Sequence, residues 1–365
     1  LYGGGWFRWD RDPASGRLLV EEALEIAREL NDDDLILNLI QLIGWRRRLS
    51  GDYLGALRIF QEGVDEYRRP GRKWPIPWGI SWLLLELAET EFHMGEFESG
   101  AKHADEAVVI GRELDKADRV LPISLQGSFA AARGDHVTAR ARCEQSVTLA
   151  RELGRAHLMG QSLLAFAAVA CWQNAFADAR ASAEEVLSLP IPPGQKRDAL
   201  ERLGITSSGE GDLEQARSFF ERVLDSIHSR PWWPHEEPMA QLWLGRVALL
   251  QGELETASAL FGAVLSRVQE IDHKPFAALA LEELGSLAAA KKEFERGATL
   301  YGSAEVVREE TSAAVPMDQR RFHAEGLEAI KAGLDEESFE RARSVGRSMS
   351  LDDAVLYALE GPNGN

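Results

Sequence analysis

The sequence is built on an internal repeat of about forty residues, and a repeat of this length constrains the fold more strongly than any single motif does. Each copy is marked by a triplet: a small or polar residue, usually an acid, and usually a bulky apolar residue. The intervals between successive triplets are 40, 44, 39, 40, 37, 41 and 40 residues. The triplets begin at Arg11, Gly51, Gly95, Gly134, Asn174, Gly211, Gly252 and Lys292.

Positions at fixed offsets from each triplet share a physical property in every copy. The residue seven places before the triplet is always small: Gly4, Gly44, Ala88, Gly127, Ala167, Gly204, Gly245 and Gly285. The residue five places after it is always Gly or Ala, and the residue nine places after it is always apolar. Two helices of an antiparallel pair approach closely only where one of them presents a residue without bulk. The pattern therefore predicts about eight helix pairs that stack on one another and bury a continuous core.

This order of small, small and apolar or aromatic residues resembles the tetratricopeptide (TPR) pattern. The resemblance implies an all-α fold, a right-handed TPR-like superhelix with a helical C-terminal cap. The family's period is nearer to about 34 residues and ends in a proline that these copies lack, so we expect longer second helices or loops. HEAT and armadillo repeats fit the period better, but they do not account for the small residues. We expect the repeat array in residues 1–315 and capping helices with a tail in residues 316–365.

A narrower resemblance lies near the C-terminus, where several segments are similar to the repeat region of large bacterial LuxR-type or AfsR-like regulators. These segments are residues 298–304, 307–310, 318–321, 339–343, 346–351 and 353–359. Those regulators resemble signal-transducing ATPases of the NB-ARC or STAND type. The resemblance implies a covalently linked ATPase and a DNA-binding or other output domain outside this segment. Because the chain opens at Leu1 without methionine, we interpret it as a piece of a longer protein.

Charge and cysteine content bear on partners and compartment. The formal net charge is −18, and such a surface repels both phosphate backbones and anionic lipid headgroups. We therefore expect no direct nucleic-acid binding and no membrane binding by this segment. Cys143 and Cys171 have neither CxxC nor zinc-ligand spacing, which predicts reduced core thiols and a cytoplasmic location. No signal peptide is visible, and no apolar run approaches the roughly 20 residues needed to span a bilayer.

Motifs of catalysis are absent from the sequence. It contains no phosphate-binding GxxxxGK[ST] loop and no HExxH, GxSxG or EF-hand spacing. Its eight histidines are scattered, and carboxylate pairs such as Glu236 and Glu237 are typical of solvated helix surface. We therefore predict no catalytic residues, no cofactor and no metal. An enzyme is the third alternative, which a pocket joining His93 to a carboxylate with a shifted pKa would favour.

Aromatic and arginine residues on the first helices are the best binding candidates. In TPR arrays the first helix of each pair lines a concave groove. Projecting that geometry onto this sequence predicts the groove residues Trp45, Arg48, Trp82, Phe92, His93, Trp172 and Arg246. Rings beside guanidinium groups suit a peptide or a planar ligand, because rings supply rigid contact area and Arg supplies directed charge. The alternative interpretation is that the tryptophans belong to the core between repeats.

Two proline-stiffened loops, residues 67–78 and 228–235, offer further aromatic surface. Their candidate partner-binding residues are Arg68, Arg69, Lys73, Trp74, Trp78, Trp232 and Trp233. The first loop is basic within an acidic chain, which favours docking of an acidic partner or of the linked ATPase module. The alternative is that these tryptophans pack over the edges of the array while the arginines neutralise neighbouring acids.

The leading interpretation is a sensor or scaffold segment of a bacterial signal-transduction or transcriptional regulator, which binds a protein or peptide partner or a small-molecule inducer. Binding would bias a linked ATPase and output domain through different affinities for its two states. The second interpretation is a free-standing peptide receptor or adaptor that holds its ligand in the groove.

Overall fold

The computed structural model describes residues 13–69, 79–229, 236–271 and 273–360, and these residues form helices and turns without any β-strand. The first ten helices are α1 (Pro13–Leu30), α2 (Asp33–Leu49), α3 (Tyr53–Tyr67), α4 (Gly79–Met94), α5 (Phe97–Glu113), α6 (Val120–Ala132), α7 (His136–Leu153), α8 (Ala156–Trp172), α9 (Phe176–Ser188) and α10 (Pro193–Glu210). They are followed by α11 (Leu213–Ser229), α12 (Glu236–Leu250), α13 (Leu254–Glu270), α14 (Lys274–Ala290), α15 (Phe294–Thr311), α16 (Arg320–Ala332), α17 (Glu336–Arg347) and α18 (Leu351–Leu359). Short 3₁₀ turns cover Lys116–Arg119 and Met317–Gln319. The predicted all-α fold is confirmed.

The repeated triplets are the turns that join the two helices of each pair. Every described turn begins with a residue in the left-handed region, with φ of 78° at Gly51, 83° at Gly211, 57° at Asn174 and 64° at Lys292, for example. Glycine adopts this conformation without steric cost, which explains why it recurs here. The turn predicted at Arg11 lies outside the described residues.

The acid that follows the turn residue is the N-cap of the second helix, and where it is aspartate its side chain accepts a hydrogen bond from the first turn of that helix. The carboxylate of Asp52 accepts a hydrogen bond from the backbone N–H of Gly55, with 2.9 Å between the nitrogen and Oδ1. The carboxylate of Asp212 does the same for the N–H of Gln215 at 3.0 Å. At Glu96 and Glu253, the longer glutamate makes no such bond. The aspartates thereby satisfy one of the free N–H groups at a helix start.

In four of the described pairs, the small residue of the first helix is a glycine that faces an aromatic residue of the second helix. A Cβ atom added to Gly44 would lie 2.4 Å from the ring of Phe60, and one added to Gly204 would lie 2.6 Å from the ring of Phe220. The same relation holds between Gly285 and Tyr301, at 2.6 Å. The steric reason given for the repeat pattern therefore holds in these pairs, whereas the pairs led by Ala88 and Ala167 have alanine, Ala104 and Ala183, at the second-helix position.

The chain divides into two compact units. Unit 1 comprises the described residues up to Val169 together with Leu189–Ile191, and unit 2 comprises Ala170–Ser188 and the residues from Pro192 onward. In each unit, apolar side chains of successive helices form the core. Cys143 in unit 1 and Cys171 in unit 2 are buried free thiols, as predicted. Burial raises the pKa of Cys143 to about 12, so its thiol stays protonated and unreactive.

The last three helices pack on the final helix pair of unit 2. Helix α16 contacts α14 and α15, α17 packs along α15, and α18 contacts α13, α14 and α15. A Cβ on Gly346 would lie 1.8 Å from the carbonyl oxygen of Thr299, so α15 and α17 approach almost backbone to backbone. The predicted boundary between array and cap at residue 316 stays a prediction. No helix among the described residues is both long enough and apolar enough to cross a membrane.

Candidate functional site

The first helices of unit 1 form a cavity of about 290 Å³. Its apolar walls come from three successive first helices, α4, α6 and α8, and from the 3₁₀ turn before α6. The side chains that bear on ligand chemistry are Trp82, Leu85, Asp118, Leu121, Pro122, Arg155, His157 and Leu158. The Nη2 atom of Arg155 lies 3.3 Å from Oδ2 of Asp115, and both side chains are exposed. The half-buried indole of Trp82 therefore lies at a concave apolar site with a guanidinium group at its edge. Such a combination is typical of ligand pockets.

Beside this cavity, helix α4 carries two carboxylates that pair with Arg48 of α2. The Arg48 Nη2 atom lies 2.8 Å from Oε2 of Glu86 and 3.0 Å from Oε2 of Glu89. Only 8% of the Glu86 side chain is exposed. Burial raises the pKa of Glu86 to about 7, the neighbouring Glu89 adds to the rise, and Arg48 opposes it. Arg48 is thus committed to two acids of its own unit.

The other predicted groove residues of unit 1 lie in aromatic contacts. The ring of Phe92 packs against Phe97 and Phe129, at centroid distances of 5.5 and 5.3 Å. His93 is exposed and stacks on Tyr53, with 5.4 Å between the ring centroids. Trp45 is half-buried, and the guanidinium of Arg46 lies 5.6 Å from its ring. Their role in binding stays a prediction.

In unit 2, the first-helix face is covered by residues 313–332, which we call the groove segment. It consists of an extended stretch, the 3₁₀ turn and helix α16. The Trp172 Nε1–H donates to Oδ1 of Asp318 across 2.7 Å. Both carboxylate oxygens of Asp318 also accept from Nη1 of Arg202, at 2.8 Å each. The predicted groove residue Trp172 therefore lies beside a basic residue, Arg202. The group that both of them bind is Asp318 of the same chain.

The second predicted groove residue of unit 2, Arg246, contacts the groove segment one turn further along. Its guanidinium carbon lies 4.5 Å from the ring centroid of Phe322, and its Nη2 pairs with the buried carboxylate of Glu283. The ring of Trp243 meets Phe322 edge-on at 5.9 Å and stacks on Phe220 at 5.6 Å. Phe322 is thus held between a guanidinium group and an indole ring.

A further polar contact holds the segment at His323. The carboxylate of Glu282 pairs with Nε of Arg308 at 2.7 Å and with Nδ1 of His323 at 3.3 Å. Burial alone would raise the pKa of Glu282, but these two partners lower it. The carboxylate is therefore charged at neutral pH and attracts the guanidinium group of Arg308.

Most of the predicted loop residues fall outside the described residues. These are Lys73, Trp74, Trp78, Trp232 and Trp233. Arg68 is half-exposed, and its Nη2 lies 2.5 Å from Oε1 of Glu106. Arg69 is exposed at the end of α3. The pairing of Arg68 accords with the alternative in which arginines neutralise neighbouring acids, while docking by this loop stays a prediction.

Within the described ranges, no three side chains of His, Cys, Asp or Glu are grouped so that they could hold a metal ion. The site residues that the sequence analysis missed are Arg202, Trp243, Asp318 and Phe322, all in the unit 2 groove. A usable signal existed for two of them. Arg202 and Trp243 each stand two places before the small residue of their repeat, on the turn of the first helix that faces the segment.

Comparison with known proteins adds relatives at low identity. No protein-family profile matches the sequence. A protein of Mycobacterium tuberculosis strain H37Rv with the provisional name HTH-type transcriptional regulator Rv0890c is 24% identical over 354 residues, which cover 93% of this chain and 38% of the relative. A Mycobacterium bovis protein with the corresponding provisional name, Mb0914c, matches to the same extent. The chain therefore spans about two fifths of the length of the curated relatives that it matches.

Two solved structures share the fold. The crystal structure of a Rap protein complexed with Competence and Sporulation Factor has a TM-score of 0.60 and 14% identity, and the match covers 82% of this chain and 80% of that one. The crystal structure of the Signal Transduction ATPase with Numerous Domains (STAND) protein PH0952 from Pyrococcus horikoshii, described as having a tetratricopeptide repeat sensor, has a TM-score of 0.52 and 16% identity. That match covers 96% of this chain and 54% of the other. The TPR-like fold of the chain is thereby established.

Proposed function

We propose that this chain is the non-catalytic, ligand-binding sensor segment of a bacterial transcriptional regulator of the LuxR or AfsR-like type. The observation that carries the proposal is the unit 1 cavity, in which Trp82 stands on the first helix α4 and Arg155 immediately precedes the first helix α8. A rigid ring beside a cation on a preformed concave surface suits a peptide side chain or a small inducer. The similarity to regulators with helix-turn-helix names supports the assignment to transcription.

In this proposal, a linked STAND-type ATPase and a DNA-binding module lie outside the segment. The fold shared with the TPR-bearing STAND protein supports that arrangement. The ligand acts by binding one state of the linked switch more tightly than the other, because a ligand with equal affinity for both states would shift nothing.

The experiment uses the natural full-length protein and a transcriptional reporter at its target promoter. Trp82→Ala and Arg155→Met should each raise the inducer concentration needed for half-maximal induction at least about tenfold, a change that corresponds to about 1.4 kcal/mol of lost binding free energy. Leu54→Ala is the matched control, since Leu54 is an exposed apolar residue on the second helix α3. Induction that is unchanged in both cavity variants would contradict a sensor site in unit 1.

A free-standing peptide receptor is the second candidate. The Rap protein structure supports it, because that fold is matched over similar shares of both chains and that protein is complexed with Competence and Sporulation Factor. The natural reading frame distinguishes the two candidates. A phosphate-binding loop upstream and a helix-turn-helix downstream support the regulator, and neither is expected for a free receptor.

A further inference from the structure

The groove segment is attached to unit 2 in two different ways along its length. At its C-terminal end, Ile330 is fully buried and belongs to the apolar cluster that contains Ala289, Ala298 and Tyr301. Towards its N-terminal end, the contacts of residues 316–323 include the Asp318 ion pair, the Phe322 ring and the His323 pair with Glu282. The preceding residues are held by burial of Ala313 and by a hydrogen bond from Nη1 of Arg308 to the carbonyl oxygen of Ala314. Apolar burial holds the C-terminal end, whereas the N-terminal end is held mainly by an ion pair, ring contacts and hydrogen bonds, which a peptide of similar chemistry could also make.

The N-terminal end also fits the groove incompletely. Among the described residues, the side-chain oxygen of Gln319 is buried and has no hydrogen-bond donor, and the indole N–H of Trp243 is buried and has no acceptor. A buried polar group without a partner costs free energy that it would not cost in water. The segment therefore binds this face less tightly than a fully complementary ligand would.

The groove keeps its charges paired when the segment is removed. Arg202 has a second carboxylate within reach, because its Nη2 lies 3.9 Å from Oε1 of Glu201. Arg246 keeps its buried partner Glu283. When Asp318 and Phe322 leave the groove, both arginines therefore keep a carboxylate partner. An unpaired buried charge would be the most costly result. The site is preformed by residues of the first helices alone.

We propose that the first-helix face of unit 2 is a recognition site for a peptide of a partner protein that carries a carboxylate and, four residues later, an aromatic ring. Residues 316–323 occupy the site as an internal competitor. The carboxylate is bound by Arg202 and Trp172, and the ring is bound between Arg246 and Trp243. This inference deepens the proposed sensor function and rests on it. The binding site itself is tested with this chain alone, without any output domain.

The test measures binding of a fluorescein-labelled synthetic peptide with the sequence of residues 313–325 by fluorescence anisotropy. The full chain is compared with its variant Asp318→Ala/Phe322→Ala, in which the internal competitor is disabled. We expect the variant to bind the peptide at least about thirtyfold more tightly than the wild type does, because the wild type must first open its own segment. A peptide with the same two replacements is the matched control and should not bind the variant.

Two results would overturn the proposal. One is a variant that keeps the helical circular dichroism of the wild type and binds neither peptide. The other is equal binding of both peptides, which would show that the carboxylate and the ring are not recognised. A third result would also overturn the assignment to a partner peptide. If the wild type is a dimer and the peptide dissociates it, the site binds a second copy of the chain.

If the double variant loses its helical structure, hydrogen exchange of the wild type decides the question. The amides of residues 317–323 should exchange through an opening that leaves α14 protected, because the N-terminal end lifts on its own. Exchange of these amides only together with those of α14 would overturn the proposal. If the peptide binds as expected while reporter output in the full-length protein stays unchanged, the result supports the binding site and contradicts only the sensor function.

Discussion

The indole of Trp172 and the carboxylate of Asp318 form a hydrogen bond of 2.7 Å although 146 residues separate them in the chain. This bond, together with the ion pair between Asp318 and Arg202, joins the end of α8 to the groove segment within unit 2. The segment therefore lies on the face where a TPR-like array is expected to receive its ligand.

The first prediction concerns the energetic coupling of these two residues. In a double-mutant cycle of Trp172→Phe and Asp318→Ala, we expect a coupling energy of about 1.5 kcal/mol, because a hydrogen bond to a charged acceptor is lost in each single variant. Urea unfolding of the four proteins measures it. A coupling energy near zero would show that the bond contributes nothing to holding the groove segment on unit 2.

The second prediction concerns the close approach of paired helices. Gly204→Ala should lower the free energy of unfolding by about 1–3 kcal/mol, since the new Cβ would lie 2.6 Å from the ring of Phe220. Gly262→Ala is the control, because its Cβ would meet only Leu359 at 3.6 Å. That variant should gain up to about 1 kcal/mol from better helix propensity. Equal effects of the two variants in urea unfolding would contradict the steric account of the repeat.

The third prediction concerns the last turn of the array. Lys292 has φ of 64°, a conformation that costs a residue with a side chain roughly 1 kcal/mol. Lys292→Gly should therefore raise the free energy of unfolding by about 0.5 kcal/mol after the larger chain entropy of glycine is subtracted. Lys291→Gly provides the control, because Lys291 has φ of −80° and should lose about 0.5–1 kcal/mol. Thermal denaturation that ranks these two variants in the opposite order would refute the explanation.

The fourth prediction concerns pH. Burial, with Glu89 adding to it and Arg48 opposing it, raises the pKa of Glu86 from 4.5 to about 7 in the folded protein. Folding therefore favours the protonated carboxyl, so its contribution to stability is complete below about pH 4.5 and is lost as the pH rises through about 7. Between pH 5 and pH 8, the loss should be on the order of 2–3 kcal/mol.

Glu86→Gln should remove most of this pH-dependent loss, since the amide cannot ionise. Urea unfolding at several pH values measures the effect, and Glu29→Gln at an exposed position of α1 is the control. A Glu86→Gln variant whose stability falls with pH as steeply as that of the wild type would place the titration on another group.

The sequence predicts the contact of Gly44 with Phe60 because the same spacing recurs in each copy. A spacing that recurs in this way indicates the same local helix packing in each repeat. The turns were predicted for the same reason. The forty-residue period, however, does not come from the second helix alone, since α10 has 18 residues and α11 has 17.

The contact of Asp318 with Arg202 could not be predicted in this way, because the groove segment has no counterpart in the other repeats. Its position depends on the chain turning back after α15, which no local periodicity encodes. One signal was nevertheless present. The place two residues before the small position holds Glu86, Arg202, Trp243 and Glu283, and charged or indole side chains at a mostly apolar helix position indicate polar contacts on the first-helix face.

The most direct test of the central claim compares the natural full-length protein with a version from which residues 13–360 are removed, using reporter transcription under inducing and non-inducing conditions. A sensor segment must change output by binding one state of the linked switch preferentially. We predict that the deletion abolishes the difference between the two conditions while the protein still occupies its DNA site. An induction ratio equal to that of the intact protein would contradict the account.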